Sequence, residues 1–313
     1  MKLATTTADF RAYGDGSTAS HVRLFASTGF KYLDYSFYKI IYPGSPFLSS
    51  GDGWKNEILA SQEAAAALGL VFVQAHAPDG EHFVPGETRD ALILATKRSI
   101  EACAMLGIPS TVIHAAQHPD PNASPSEFID VNLRFYETLY DTAEQQGVNI
   151  LIENSCEQNA PRYYLRTGRE MKEFLAHANH PLMHACWDTG HAHMRHMDQY
   201  QSIIDLGKDL YGVHIQDNYG DRDSHVMPFM GDCNFDQVLQ GLIDIDYAGA
   251  FTLECGSGIR FRNEWPHSRK PFIYRDQTVE TLLDPPLSVK QMYVKLMYAV
   301  GKHMLEQYHC FED

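Results

Sequence analysis

Short apolar runs that are typical of β-strands alternate along the chain with longer amphipathic stretches that are typical of helices. The eight strand candidates are KLATTT, KYLDYSF, LVFVQAHA, TVIHAA, NILIENS, LMHACWD, LYGVHIQD and GAFTLEC. In helix candidates at residues 88–107, 126–147 and 235–245, apolar residues recur every three or four positions, as expected of helices that pack on a sheet. Residues 288–308 predict a final amphipathic helix, and Gly107 and Gly147 stand where a helix is expected to end.

The regular alternation of strand and helix predicts a parallel sheet, either closed into a barrel or open and doubly wound. Neither GxGxxG nor GxxxxGK[ST] follows the first strand candidate, which removes the main sign of a nucleotide-binding open sheet. No low-complexity tract or long linker divides the chain. We therefore predict a single (β/α)8 TIM barrel over residues 1–313, with an additional C-terminal helix.

Polar side chains stand at or near the ends of six consecutive strand candidates. Their spacing is close to one βα repeat, which takes about 30 residues in a barrel of about 250. Catalytic groups of such barrels stand at the C-terminal ends of the strands, so we expect all six at one mouth. The six are His76, His114, Glu153, Asp188, His214 and Glu254.

Four of these residues, Glu153, Asp188, His214 and Glu254, form a plausible set of metal ligands. A single histidine near a strand end is more often a hydrogen-bonded core or surface residue, and a lone glutamate could pair with an arginine. Three buried carboxylates without a cation would repel one another, however, so the combined pattern favours a metal. Oxygen ligands with one nitrogen predict one divalent ion, first Mn²⁺, while Mg²⁺, Co²⁺, Zn²⁺ and Fe²⁺ stay open.

The motifs LIENS, WDTGHAH, GVHIQDN, DSHVMPFMGDCNFDQV and FTLECG occur in that order along the chain. In this order the sequence resembles the xylose-isomerase-like superfamily, and within it the sugar (phosphate) isomerase/epimerase branch. The resemblance implies a TIM barrel whose metal is held by Glu153, Asp188, His214 and Glu254. It also implies that Glu153 and Glu254 are catalytic and exchange protons with opposite sides of a sugar or polyol. Moving a proton next to a carbonyl requires a base, an acid and a metal that stabilises the enediolate.

Other polar residues are expected around this centre. We predict that His76, His114, His191 and Arg222 bind substrate, and that Asp223 and His225 are candidates for a second metal position.

With these histidines, the Asp-x-His pair is similar to the additional ligands of barrel-type apurinic endonucleases, which have a similar fold and use three zinc ions. The alternative function is therefore a metallohydrolase with a multinuclear zinc site that cleaves phosphodiesters. A catalytically silent sugar-binding barrel is the third hypothesis, and measurable turnover on any sugar would eliminate it.

The charge of the chain bears on its partners. The formal net charge is −15, from 40 acidic and 25 basic residues, and no Lys/Arg cluster surrounds the candidate loops. We therefore expect a small sugar or polyol as partner, and neither nucleic acid nor a membrane surface. A homo-oligomer stays open.

The sequence also bears on where the protein is located. It shows no signal peptide and no apolar segment of membrane-spanning length. The cysteines are scattered without a CxxC pair, which predicts reduced thiols and a cytoplasmic protein, although a periplasmic location stays open. They are Cys103, Cys156, Cys186, Cys233, Cys255 and Cys310.

Two segments leave the substrate open. Tyr35, Phe37 and Tyr38 could cap one face of a sugar ring or could pack in the core. The segment GSGIRFRNEW follows the last strand, where barrels often bind phosphate, but an ordinary loop with solvated arginines is the favoured interpretation. A free ketose, a keto-inositol, a hydroxypyruvate-like acid and a sugar phosphate all remain candidates.

Overall fold

Eight parallel strands close into a barrel in the computed structural model, which describes residues 1–80, 82–116, 118, 120, 122–155, 164–264 and 269–313. Each strand pairs with the next along the chain, and β1 pairs with β8 to complete the ring. The predicted (β/α)8 TIM barrel is therefore confirmed. The strands are β1 Leu3–Thr6, β2 Tyr32–Ser36, β3 Val71–His76, β4 Ser110–Val112, β5 Asn149–Glu153, β6 Met183–Asp188, β7 Leu210–Ile215 and β8 Phe251–Leu253.

Helices connect the strands and pack against one another around the barrel. The four segments predicted as helices are present, and the additional C-terminal helix is confirmed. No described helix is long and apolar enough to cross a bilayer. The helices are α1 Thr18–Arg23, α2 Gly53–Leu68, α3 Glu87–Leu106, α4 Pro125–Gln146, α5 Gly168–Ala178, α6 Thr189–Met194, α7 Gln199–Leu206, α8 Phe235–Asp244 and α9 Leu287–Gln307.

Local signals fix the ends of the long helices. Gly107 and Gly147 follow α3 and α4 with φ of 71° and 65°, in the left-handed conformation that glycine adopts without a steric penalty. Ser124 begins α4 with a capping box, because its side chain accepts from the Glu127 backbone while the Glu127 carboxylate accepts from the Ser124 N–H. Both predicted helix ends are confirmed.

The core lies mainly between the strands and the surrounding helices. Trp54 and Trp187 are fully buried in it, so both are packing residues. A separate small cluster of Val112, Leu151 and Cys186 is also fully buried, and the Cys186 thiol lies beside the mouth residues described below. The described cysteines are free thiols, as predicted, while Cys156 lies outside the described residues.

The segment between β8 and α9 carries a hairpin that the sequence pattern did not predict. Strand β9, Phe272–Tyr274, pairs antiparallel with β10, Gln277–Val279. Arg262 binds Glu280 at 2.7 Å, and Arg260 donates to a carbonyl of its own loop at 2.9 Å. Both arginines are thus engaged within the segment, which supports the interpretation as an ordinary loop.

Candidate metal centre and active site

The C-terminal ends of the strands bring the six predicted polar residues to one mouth. His76, Glu153 and Asp188 are the last residues of β3, β5 and β6. Asp188 stands directly opposite His214 in the register between β6 and β7. His114 and Glu254 follow β4 and β8 at the same end of the barrel. Their shared position follows from the parallel arrangement, because every strand ends on the same side.

Glu153, Asp188, His214 and Glu254 form the most tightly organised group at this mouth. One ligand atom from each lies within 4.8 Å of those of the other three. His214 Nδ1 lies 2.8 Å from Glu153 Oε1 and 3.4 Å from Glu254 Oε2, so both glutamates contact the same ring nitrogen. The structure therefore brings together all four residues predicted to bind a metal.

The state of Asp188 fits a metal ligand. Its Oδ1 accepts from the His191 N–H at 2.7 Å, but its Oδ2 is buried and has no hydrogen-bond partner among the described residues. Burial raises the pKa of Asp188 to about 6, although His191 partly offsets this effect. Buried carboxylate oxygens without partners are rare and costly, and a divalent cation would satisfy this one. Three carboxylates with one imidazole suit Mn²⁺ or Mg²⁺.

The two glutamates are held as carboxylates. Burial alone would raise the pKa of Glu153, but the neighbouring His214 and His114 hold it well below its usual range. Burial likewise opposes the ionisation of Glu254, and His214, His225 and His76 together lower its pKa. Both side chains are thus ionised at neutral pH and available to take up a proton.

Two residues below His214 were missed by sequence reasoning. Gln74 Nε2 donates to Asp34 Oδ2 at 3.0 Å and lies 3.0 Å from His214 Nε2. Burial raises the pKa of Asp34 to about 7. These contacts hold the imidazole so that Nδ1 faces the glutamates. The one signal in the sequence was an acidic residue within the apolar run KYLDYSF.

A second group consists of His76, His114 and Glu153. His114 Nε2 lies 2.5 Å from Glu153 Oε2, and His76 Nε2 lies 3.1 Å from His114 Nε2. Glu153 raises the pKa of His114 to about 10 against the opposing effect of burial. Burial lowers the pKa of His76 to about 4, so this imidazole is neutral at neutral pH. Glu153 belongs to both groups and joins them.

A third group consists of His191, Asp223 and His225. Asp223 Oδ2 lies 2.9 Å from His225 Nε2 and 3.6 Å from His191 Nε2. Each histidine contacts a backbone carbonyl through Nδ1, at 2.9 Å for His191 and 2.8 Å for His225. The backbone therefore orients both rings so that their Nε2 atoms face the carboxylate.

Arg222, also predicted to bind substrate, does not line the pocket described below. Its side chain is 60% exposed and contacts the neighbouring Asp221 at 3.3 Å. Of the three aromatic residues in and after β2, Tyr35 and Phe37 are buried in the core. Tyr38 lines the pocket beside the metal ligands and donates to Asp79 at 3.2 Å. Only Tyr38 is therefore placed to contact a ligand.

A pocket of about 180 Å³ opens beside Glu254. His76, Asp223 and His225 line it, and so do Asp9 and Lys290. Asp9 follows β1, so the expectation that polar residues after the strands lie at the mouth could have identified it. Lys290 could not have been found in this way, because its helix was predicted only as a packing element.

Comparison with known proteins gives distant relatives. The chain is similar to the protein y4fM of Sinorhizobium fredii, at 23% identity over 161 residues and 50% of each chain. It is also similar to a probable endonuclease 4 of Geobacter sp., at 23% identity over 197 residues, 55% of this chain and 66% of the relative. The chain thus spans about half to two thirds of the length of these curated relatives.

Comparison of structures shows the same fold in a solved protein, the 3-keto-D-glucoside 4-epimerase of E. coli. The TM-score is 0.67 and the identity 17%, over 96% of this chain and 99% of the epimerase. A family model described as a xylose isomerase-like TIM barrel matches residues 22–272. That match covers most of the chain and contains every barrel strand except β1. The chain therefore belongs to the xylose isomerase-like TIM barrel family.

Proposed function

We propose that this protein is a divalent-metal-dependent isomerase or epimerase of a small sugar or polyol. The observation that carries the proposal is that Glu153 and Glu254 both approach His214 Nδ1, at 2.8 and 3.4 Å, next to a pocket of about 180 Å³. Pockets for drug-sized ligands begin at roughly 300 Å³, so this one suits a smaller molecule. One ionised carboxylate beside such a pocket can act as the base, and the second can act as the acid once it has taken up a proton.

The metal would be held by Glu153, Asp188, His214 and Glu254, with Mn²⁺ as the first choice. When bound, a divalent ion supplies Lewis acidity that makes a carbon next to a carbonyl easier to deprotonate.

Two residues of the chain would act as the base and the acid of the proton transfer. Glu254 lines the pocket and is placed to remove a proton from a substrate carbon. Glu153 lies deeper, where His114 and His214 contact its two oxygens. It would receive a proton from the protonated His114 and deliver it to the other side of the substrate, while Glu254 releases the proton that it removed to solvent. Return to the same carbon on the opposite face is epimerisation, and return to the neighbouring carbon is isomerisation.

The test is solvent deuterium uptake by a panel of ketoses with the Mn²⁺-loaded protein. We expect Glu153→Gln and Glu254→Gln each to lose about 10³-fold or more of the exchange rate, within the range of general acid–base catalysis. Glu306→Gln is the matched control, because Glu306 is an exposed residue of α9 that contacts Lys302. Full exchange in both active-site variants would refute the assignment.

A second candidate is a metallohydrolase of phosphodiesters with a multinuclear zinc site. It is favoured by the three groups of His, Asp and Glu around one mouth, two of which share Glu153. The probable endonuclease 4 relative supports the same hypothesis. The small pocket and the net charge of −15 are less suited to a DNA substrate.

Zinc-loaded protein tested on bis(4-nitrophenyl) phosphate and on a duplex with an abasic site separates the two functions. The isomerase proposal expects no cleavage of either compound. Cleavage that depends on His191 and His225 would establish the hydrolase instead.

A further inference from the structure

Two buried residues of opposite charge, neither of them a candidate metal ligand, also line the pocket. Asp9 is 6% exposed and Lys290 is 4% exposed, and both line the pocket. Asp9 follows β1, and Lys290 lies in the first turn of α9. Both positions lie outside residues 22–272, so they are features of this chain beyond the segment that the family model matches.

Lys290 has a donor left for a ligand. Its Nζ donates to the carbonyl of Gly256 and, at 2.9 Å, to the carbonyl of Ile259. An ammonium group has three N–H donors, and two of them hold the loop after β8. The third has no hydrogen-bond acceptor among the described residues, although the ammonium lies 5.8 Å from the centre of the Tyr293 ring.

Asp9 likewise has acceptor positions left. Its Oδ2 accepts from Thr5 Oγ1 at 2.6 Å, and a carboxylate offers about four acceptor positions. No hydrogen bond or ion pair joins Asp9 directly to Lys290 in the described structure. The two groups therefore offer an acceptor and a donor on the same wall.

Burial of these two charges costs folding free energy, which a ligand that hydrogen-bonds to both groups would offset. Burial raises the pKa of Asp9 to about 6 and lowers the pKa of Lys290, and each charge only partly compensates the other. Buried charges without a direct partner destabilise a fold. The loop is nevertheless fitted closely to Asp9, because a Cβ on Gly256 would lie 2.1 Å from Asp9 Oδ1. Such a wall is complementary to hydroxyl groups, which both donate and accept.

We propose that Asp9 and Lys290 determine the specificity of this pocket by binding hydroxyl groups of a neutral polyol, with Lys290 as donor and Asp9 as acceptor. This inference rests on the proposed function and names its substrate class, a sugar or polyol whose end at Asp9 and Lys290 carries no charge. A carboxylate or phosphate there would meet the Asp9 carboxylate. The other charged groups of the wall, Arg11, Lys39 and Glu264, are partly or fully exposed, so solvent screens them.

The test measures binding rather than turnover. Ligand-observed NMR with the Mg²⁺-loaded protein gives dissociation constants for D-fructose, D-tagatose and myo-inositol, and for D-glucuronate as the anionic probe. The wild type is expected to bind at least one neutral probe about tenfold or more tightly than D-glucuronate. Asp9→Asn weakens the binding of the neutral probes about tenfold. It also reduces the difference in affinity between these probes and D-glucuronate, because the carboxylate that repels D-glucuronate is gone. Lys290→Met weakens the binding of the neutral probes about tenfold and does not make D-glucuronate bind more tightly than they do.

Matched controls remove charges at the opposite end of the barrel. Asp246→Asn and Lys302→Met change exposed residues and are expected to leave all four dissociation constants unchanged. If Lys290→Met does not fold, the Asp9 variant decides alone, because asparagine keeps the size of the side chain and the bond from Thr5. A purely structural role for Asp9 would not change the ratio of neutral to anionic binding.

Wild-type preference for D-glucuronate, absence of binding to every neutral probe, or unchanged neutral binding in the Asp9 variant would each overturn the inference. Glu153→Gln in the same titrations separates it from the proposed function, because Glu153 is buried and does not line the pocket. That variant is expected to lose deuterium exchange but to keep the preference for neutral ligands.

Discussion

At the scale of single residues, Asp9 is a buried carboxyl whose ionisation opposes folding. Burial raises its pKa from 3.8 to about 6, and Lys290 offsets only part of this shift. Because the folded-state pKa lies above the unfolded value, the folded chain holds the proton more tightly. The resulting stability is complete below about pH 4 and is lost as the pH rises towards about 6. A residue kept at such a site fits a role in binding rather than in stability.

The Asp9→Asn substitution should therefore stabilise the protein at high pH. Relative to the wild type, we expect a gain in the free energy of unfolding of roughly 1–3 kcal/mol at pH 8, from 1.36 kcal/mol per pKa unit, and almost none at pH 4. Urea unfolding of chelator-treated protein at both pH values measures the difference. Asp246→Asn, at an exposed residue, is the control and should follow the wild type. A constant difference between Asp9→Asn and the wild type at both pH values would contradict the assignment.

At the scale of elements, the site depends on how closely neighbouring helices and strands approach. Gly168 begins α5, and a Cβ at this position would lie 2.0 Å from the backbone oxygen of Ser202 in α7. Helix α5 follows β5, and α7 precedes β7, so these helices flank the strands that carry Glu153 and His214. Glycine is thus required for a close contact between two helices rather than for its backbone freedom.

Gly168→Ala should separate α5 from α7 and destabilise the protein. Overpacking of this kind costs about 1–3 kcal/mol, since the atom in the way belongs to the backbone and cannot rotate aside. Gly51→Ala is the matched control, because nothing lies within 4 Å of a Cβ at Gly51. The midpoints of urea unfolding compare the two variants. Equal midpoints for both alanine variants would show that the helices can shift without loss of stability.

At the scale of the whole molecule, a strongly acidic chain gathers many of its buried carboxylates around one mouth. The net charge is −15, and Glu153, Asp188 and Glu254 converge on the single imidazole of His214. A bound divalent ion would relieve this repulsion in the folded state only, so metal binding and folding stability are linked.

Mn²⁺ should accordingly stabilise chelator-treated protein, by about 2.7 kcal/mol when its concentration is 100 times the dissociation constant. Asp188→Asn should lose most of this gain and most of the bound metal. His225→Gln should keep both, because the proposed essential metal lies in the four-residue group. Thermal unfolding with elemental analysis per chain measures the effect. Equal losses of metal in both variants, with two or three ions per wild-type chain, would favour the multinuclear hydrolase.

The sequence by itself determined the alternation of strands and helices and the residues at the strand ends. These features are local, since hydrophobic periodicity and the glycines that end helices depend only on residues within each segment. Gly107, Gly147 and the segment that becomes α9 could be predicted for this reason. The short helices α1, α6 and α7 carry too few turns for a clear period. The hairpin of β9 and β10 is exposed, so no buried alternation marks it.

Only the tertiary structure decided which side chains meet at the mouth. Arg222 follows β7, yet its side chain is exposed, whereas Asp223 next to it joins His191 and His225. Lys290 reaches the pocket from a helix at the other end of the sequence, and Asp9, which follows the first strand, lines the same pocket. Closure of the barrel brings the two ends of the chain together, and β1 pairs with β8 in a register that no local pattern specifies. The residues at the strand ends could therefore be predicted from local sequence, whereas the joint position of Asp9 and Lys290 depends on barrel closure.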